Sequence, residues 1–94
     1  MDNEVIYNSL EEFIDSLKRL SLNKVAFSEV HERRAVQTRE DFIEVIVVRK
    51  VTILSYKKPI VHKFSAEGDI VASIYQTLVD GGFEIKRINK NIIQ

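Results

Sequence analysis

Residues 41–56 read Asp-Phe-Ile-Glu-Val-Ile-Val-Val-Arg-Lys-Val-Thr-Ile-Leu-Ser-Tyr, and this stretch decides the fold. It is dense in β-branched residues, which favour strands. Successive side chains of a strand point to opposite faces. One face therefore carries Ile43, Val45, Val47, Val51 and Ile53, and the other carries Phe42, Ile46, Val48, Leu54 and Tyr56, interrupted by Glu44 and Lys50. At about 3.3 Å per residue, one continuous strand is long for so small a chain, so a bulge or bend is expected near Arg49-Lys50. Two strands joined there are the alternative, although Arg-Lys is poor turn chemistry.

On the N-terminal side, Lys24 to Arg33 reads as a strand whose alternation fades at His31-Glu32-Arg33-Arg34, so this end is expected to project beyond the core. Val36 to Glu40 reads as a polar connection. Before it, Ser9 to Leu20 has helical spacing, with Leu10, Phe13, Ile14, Leu17 and Leu20 on one stripe. Ser9 and Glu12 have capping-box spacing, and the acidic residues precede Lys18 and Arg19 as the helix dipole favours. Asn23 is a plausible stop.

On the C-terminal side, Lys57-Lys58-Pro59 makes a tight connection to a short strand, Ile60–Phe64. A second helix is expected from Ala66 to Asp80, capped by Ser65, with Ile70, Val71, Ile74, Tyr75, Leu78 and Val79 as its apolar stripe. Gly81-Gly82 ends it, one glycine taking the left-handed conformation. The last strand is Phe83–Ile88. The expected fold is therefore α+β, a two-layer sandwich in the order α-β-β-β-α-β, with two helices on one face of a mainly antiparallel four-stranded sheet. Phe13, Leu17, Ile74, Leu78 and Phe83 should meet in its core. Residues 1–94 fit one domain.

Composition narrows the functions. Apolar residues make up 45% and charged residues 30% of the chain, which suits a folded globular protein. With no cysteine, disulfides, thiolate metal sites and cysteine nucleophiles are excluded, and a cytoplasmic home is expected. Met1-Asp2-Asn3-Glu4 has no apolar segment of signal-peptide type after it, and no apolar run approaches membrane-spanning length. Abundant Ile, Val, Lys and Glu suit a thermophile, and an AT-rich genome gives a similar bias. The net charge is zero, with a balance of −4 over residues 1–47 and +4 over residues 48–94.

No phosphate-binding glycine loop or nucleophile elbow is present. His31 and His62 have no second histidine at ligand spacing; across the sheet, with Glu29 or Glu32, they are the nearest approach to a zinc set. Asp41 and Glu44 fall on opposite strand faces. No catalytic residue, metal site or cofactor is assigned. The element order resembles the core of the restriction-endonuclease-like nucleases, which hold a divalent metal with an Asp on one strand and an acid-x-Lys on the next. Here the third strand reads Val61-His62-Lys63, lacking the acid, so the likeness implies a degenerate site. The first five elements are also similar in order to the double-stranded RNA-binding domain, whose second helix opens with basic residues; Glu67 and Asp69 stand there instead.

Two surfaces remain. Arg49, Lys50, Lys57, Lys58 and Lys63 form a possible anion-binding set on the central hairpin, joined by Lys86, Arg87 and Lys90, with Tyr56 able to stack a base. The stronger feature is apolar surplus. If the helices cover Ile43, Val45, Val47, Val51 and Ile53, then Phe42, Ile46, Val48 and Leu54 remain as a candidate interface; if they cover the opposite set, its counterpart remains. The leading expectation is a non-enzymatic module that forms a homo-oligomer through its sheet, face to face, since strand lysines count against edge pairing. Nucleic-acid or other anion binding is the alternative, and no membrane partner is expected.

Overall fold

The structure, a computed structural model, describes residues 3–89. Seven elements follow in the order β1 (Asn3–Tyr7), α1 (Leu10–Arg19), β2 (Lys24–Arg39), β3 (Phe42–Lys57), β4 (Ile60–Glu67), α2 (Ile70–Asp80) and β5 (Glu84–Asn89). The α+β class holds, and both helices lie on one face of the sheet. The sheet itself differs from expectation: it has five strands, ordered β1-β4-β3-β2-β5, and it is mixed. The β2–β3 and β3–β4 pairs are antiparallel, while β1–β4 and β2–β5 are parallel. The additional strand, β1, is only five residues long, and it ends on Tyr7, whose hydroxyl meets His62 Nδ1 at 2.9 Å.

Both helices are terminated by the same backbone device. After α1, Leu22 N–H donates to Leu17 C=O and Ser21 N–H to Lys18 C=O, with Ser21 in the left-handed region at φ 59°. After α2, Phe83 N–H donates to Leu78 C=O and Gly82 N–H to Val79 C=O, with Gly82 at φ 81°. These are Schellman closures, in which the residue beyond the left-handed one packs back on the last turn. Ser21, rather than Asn23, stops α1. At its other end Ser9 Oγ accepts from Glu12 N–H at 3.1 Å, as the capping spacing predicts. The second helix starts later than expected, because β4 continues through Ser65 and Ala66 to Glu67 and leaves Asp69 as the capping position.

The core gathers Val25 and Phe27 of β2, Val51 and Ile53 of β3, Phe64 of β4, Phe13 and Leu17 of α1, Val71, Ile74 and Leu78 of α2, and Phe83. The five residues expected to meet there do so. Ile43, Val45 and Val47 do not join them. They share a face with Val51 and Ile53, but no described helix covers them.

The reason lies in strand length. β3 is one unbroken strand, and its register with β2 runs straight through His31↔Arg49 and Val30↔Lys50, so the bend expected there is absent. The irregularity falls instead between Gln37 and Arg39, inside the segment expected to be a connection. β4 accompanies β3 only over Lys50–Lys57, and β5 accompanies β2 only over Lys24–Glu29. Beyond those limits the β2–β3 hairpin continues, among the described residues, as a two-stranded arm. It stretches the molecule to 52 × 33 × 23 Å and gives a radius of gyration of 15.6 Å. About 12 Å is usual for a compact chain of this length.

Candidate functional site

The arm carries the most exposed apolar surface of the molecule. On its helix side Ile43, Val45 and Val47 are 74%, 63% and 62% exposed, with Ala35 beside Val45 in register. On its other side Phe42 and Ile46 are exposed and Val48 is half-buried. The four residues expected as an interface thus share one face of β3, but not one place. Phe42, Ile46 and Val48 belong to the arm, whereas Leu54 lies half-buried over the body among Lys63, Ala26 and Lys86. Of the set Ile43, Val45, Val47, Val51 and Ile53, expected to be buried together if the helices cover that face, only Val51 and Ile53 are in the core. Only the fading alternation of β2 after His31 hinted that the partner strand of the other three leaves it.

Ion pairs mark the base of the arm on both faces. On the helix side Glu29 accepts from Arg49 at 3.0 and 3.1 Å and from His31 Nε2 at 3.0 Å. Burial pushes the Glu29 carboxyl up, but the hydrogen bonds and charges of His31 and Arg49 outweigh it and hold the group below its ordinary value. On the opposite side Arg34 bridges Glu67, at 3.2 and 3.4 Å, and Glu32, at 3.3 Å, and Lys50 lies 3.5 Å from Glu32. The Arg34 hydrogen bond lowers the Glu67 carboxyl and raises the guanidinium in return. Such exposed pairs contribute little energy. Their effect is positional: Glu67, the last residue of β4, ties the arm to the body across β3.

These pairs divide the expected anion-binding set. Arg49 and Lys50 face carboxylates at the arm base. Lys57 and Lys58 sit at the far end of β3, about 23 Å from Lys50 at the usual strand rise. Lys63 and Lys86 flank Leu54 and Ala26 on the helix-free face, three strand spacings or about 14 Å apart. Arg87 points to the helix side, 4.8 Å from the Tyr75 ring centre. Tyr56 is exposed on the helix-free face. Lys90 lies outside the described residues.

The histidines are far apart. His62 is buried under α1, and its strand partner Ser55 is six residues from Arg49, the partner of His31, or about 20 Å. Among the described residues no three of His, Asp and Glu stand together as a metal site. In Val61-His62-Lys63 the outer residues face away from the helices and His62 faces in. No described helix is long and apolar enough to cross a membrane. No protein-family model matches the chain, and no curated protein matches it either.

Proposed function

We propose that this chain is a non-enzymatic interaction module that self-associates through its sheet, with the β2–β3 arm as the contact. One observation carries the reading: large apolar residues are exposed on both faces of the arm, and among the described residues no element covers them. A two-stranded ribbon is marginal in water without a packed face. A second copy can complete the ribbon by symmetry, because the same surface meets itself across a two-fold axis. The tip is acidic on balance, with Glu40, Asp41 and Glu44 against Arg39, while Arg34, Arg49 and Lys50 at the base are already paired with Glu67, Glu29 and Glu32. The cysteine-free composition fits action in the cytoplasm.

Light scattering on the purified protein tests this. We expect a dimer at micromolar concentration that persists at high salt, because apolar contacts are not screened as charge pairs are. A monomer at high micromolar concentration overturns the reading. A second reading, anion binding, rests on Lys57, Lys58, Lys63 and Lys86, none of which is in an ion pair among the described residues. Binding to nucleic acid that weakens steeply with salt would support it.

A further inference from the structure

We infer that the contact is made by the free edge of β3, where residues 42–48 pair antiparallel with the same residues of a second copy about a two-fold axis through Val45. The inference rests on the proposed self-association and gives it an edge-to-edge geometry in place of the face-to-face contact expected from the sequence, because the strand lysines lie outside residues 42–48.

The backbone supplies the first argument. Gly68 N–H donates to Arg49 C=O at 2.8 Å, within the register Lys50↔Glu67 and Val51↔Ala66. The main-chain groups of Arg49 therefore point away from β2, toward the side occupied by β4. In an antiparallel ladder these directions alternate along the strand. Ile43, Val45 and Val47 consequently aim their N–H and C=O groups to the same side, where β4 has already ended. No strand among the described residues pairs with that edge. Unpaired backbone groups and exposed apolar side chains thus coincide at the same three residues.

The second argument is the missing protection. Sheet edges are ordinarily blunted by lysine, proline or a bulge. The outer edge of β2 in the arm carries His31, Glu32, Arg33, Arg34 and Arg39 and an irregularity at Gln37/Arg39. Phe42 to Val48 has no lysine, arginine, proline or bulge, and Glu44 is its one charge.

Register supplies the third. About Val45, each Ile43 faces the other copy's Val47, each Phe42 faces Val48, and each Glu44 faces Ile46. An axis at Glu44 would set the two carboxylates opposite each other, which is destabilising. An axis at Ile46 would place Ile43 against Arg49, whose carbonyl Gly68 already occupies. With the axis at Val45, the pairing ends at Phe42 and Val48, one residue short of Arg49, whose carbonyl stays with Gly68. The outward groups of Ile43, Val45 and Val47 are all paired, and the two marginal ribbons become one four-stranded arm.

The absence of cysteine makes the test clean. Val45→Cys, Ile43→Cys and Val47→Cys variants are each oxidised mildly after light scattering and circular dichroism of the unmodified protein and the variants. Paired strands hold opposed Cα atoms about 5.5 Å apart, within disulfide reach. Val45→Cys should become a covalent dimer as its main species. Ile43→Cys alone should not, although Ile43 is the more exposed, because its two copies lie about 13 Å apart along the strands. The same holds for Val47→Cys alone, whereas an equal mixture of the two variants should cross-link. A dimer by scattering without the Val45→Cys cross-link, or with Ile43→Cys cross-linking as readily, overturns the strand pairing and leaves self-association standing. A monomer by scattering overturns both.

Discussion

The two halves of β3 have nearly the same composition and opposite surroundings. Val51 and Ile53 are 1% and 0% exposed, while Val45 and Val47, on the same face of the same strand, keep more than half of their surface in water. Local preference makes both halves strand. What distinguishes them is the reach of other elements: β4 pairs with β3 only as far as Lys50, the described part of β5 pairs with β2 only as far as Glu29, and α2 begins after Gly68, beside Arg49. A strand's pattern specifies which residues share a face. It does not specify what covers that face.

Truncation in the two halves should give the largest contrast. Phe27→Ala and Ile53→Ala, in the body, should each cost about 2–5 kcal/mol in denaturant unfolding. Val45→Ala should change the stability of the isolated chain by about 0.5 kcal/mol or less. Equal losses in the two halves would mean that the arm packs on its own body. Val45→Asp reverses the contrast. It should abolish association in light scattering and leave the circular dichroism spectrum unchanged, whereas Ile53→Asp should unfold the chain.

The junction between the halves responds to pH. The Glu29 carboxyl is held below its ordinary value in the folded chain, so the stability it contributes is present above its unfolded value and is lost as pH falls through the folded one. Glu29→Gln should lower stability by about 1 kcal/mol or less at neutral pH and should flatten the decline on acidification, measured as the unfolding midpoint against pH. The smallest effect concerns the far end of β3. Replacing Lys57 and Lys58 by Ala should leave association untouched; if the body binds nucleic acid, it should weaken that binding and reduce its salt dependence.

Much of the body was legible in the sequence. The apolar stripes of α1 and α2, the Ser9 cap, the glycine stop and the alternation of β3 are local signals, and local physics decides them. β1 escaped because five residues with Val5 and Ile6 adjacent give no clear alternation, and its pairing with β4 is a long-range parallel contact. The continuation of β2 through Val36–Arg39 escaped because Gln37, Thr38 and Arg39 put polar side chains on both faces. Only the β-rich partner opposite holds it in a strand. The candidate surface was half legible. Its residues were recognised as surplus, but which face the helices cover was left open, and in the arm residues on both faces are exposed, since no local signal records how far a helix reaches along a strand distant in sequence.

The alternating aim of the β3 backbone has a consequence for its amide protons. In the arm, Glu44, Ile46 and Val48 direct their N–H groups to β2, while those of Ile43, Val45 and Val47 face outward. Hydrogen exchange on a lone chain should therefore rise and fall with every second residue from 42 to 48, then become uniformly slow from Val51 to Ser55, where both neighbours are present. Pairing of two copies through this edge would erase the alternation. The time course of single amides thus reports which side of β3 is occupied, residue by residue.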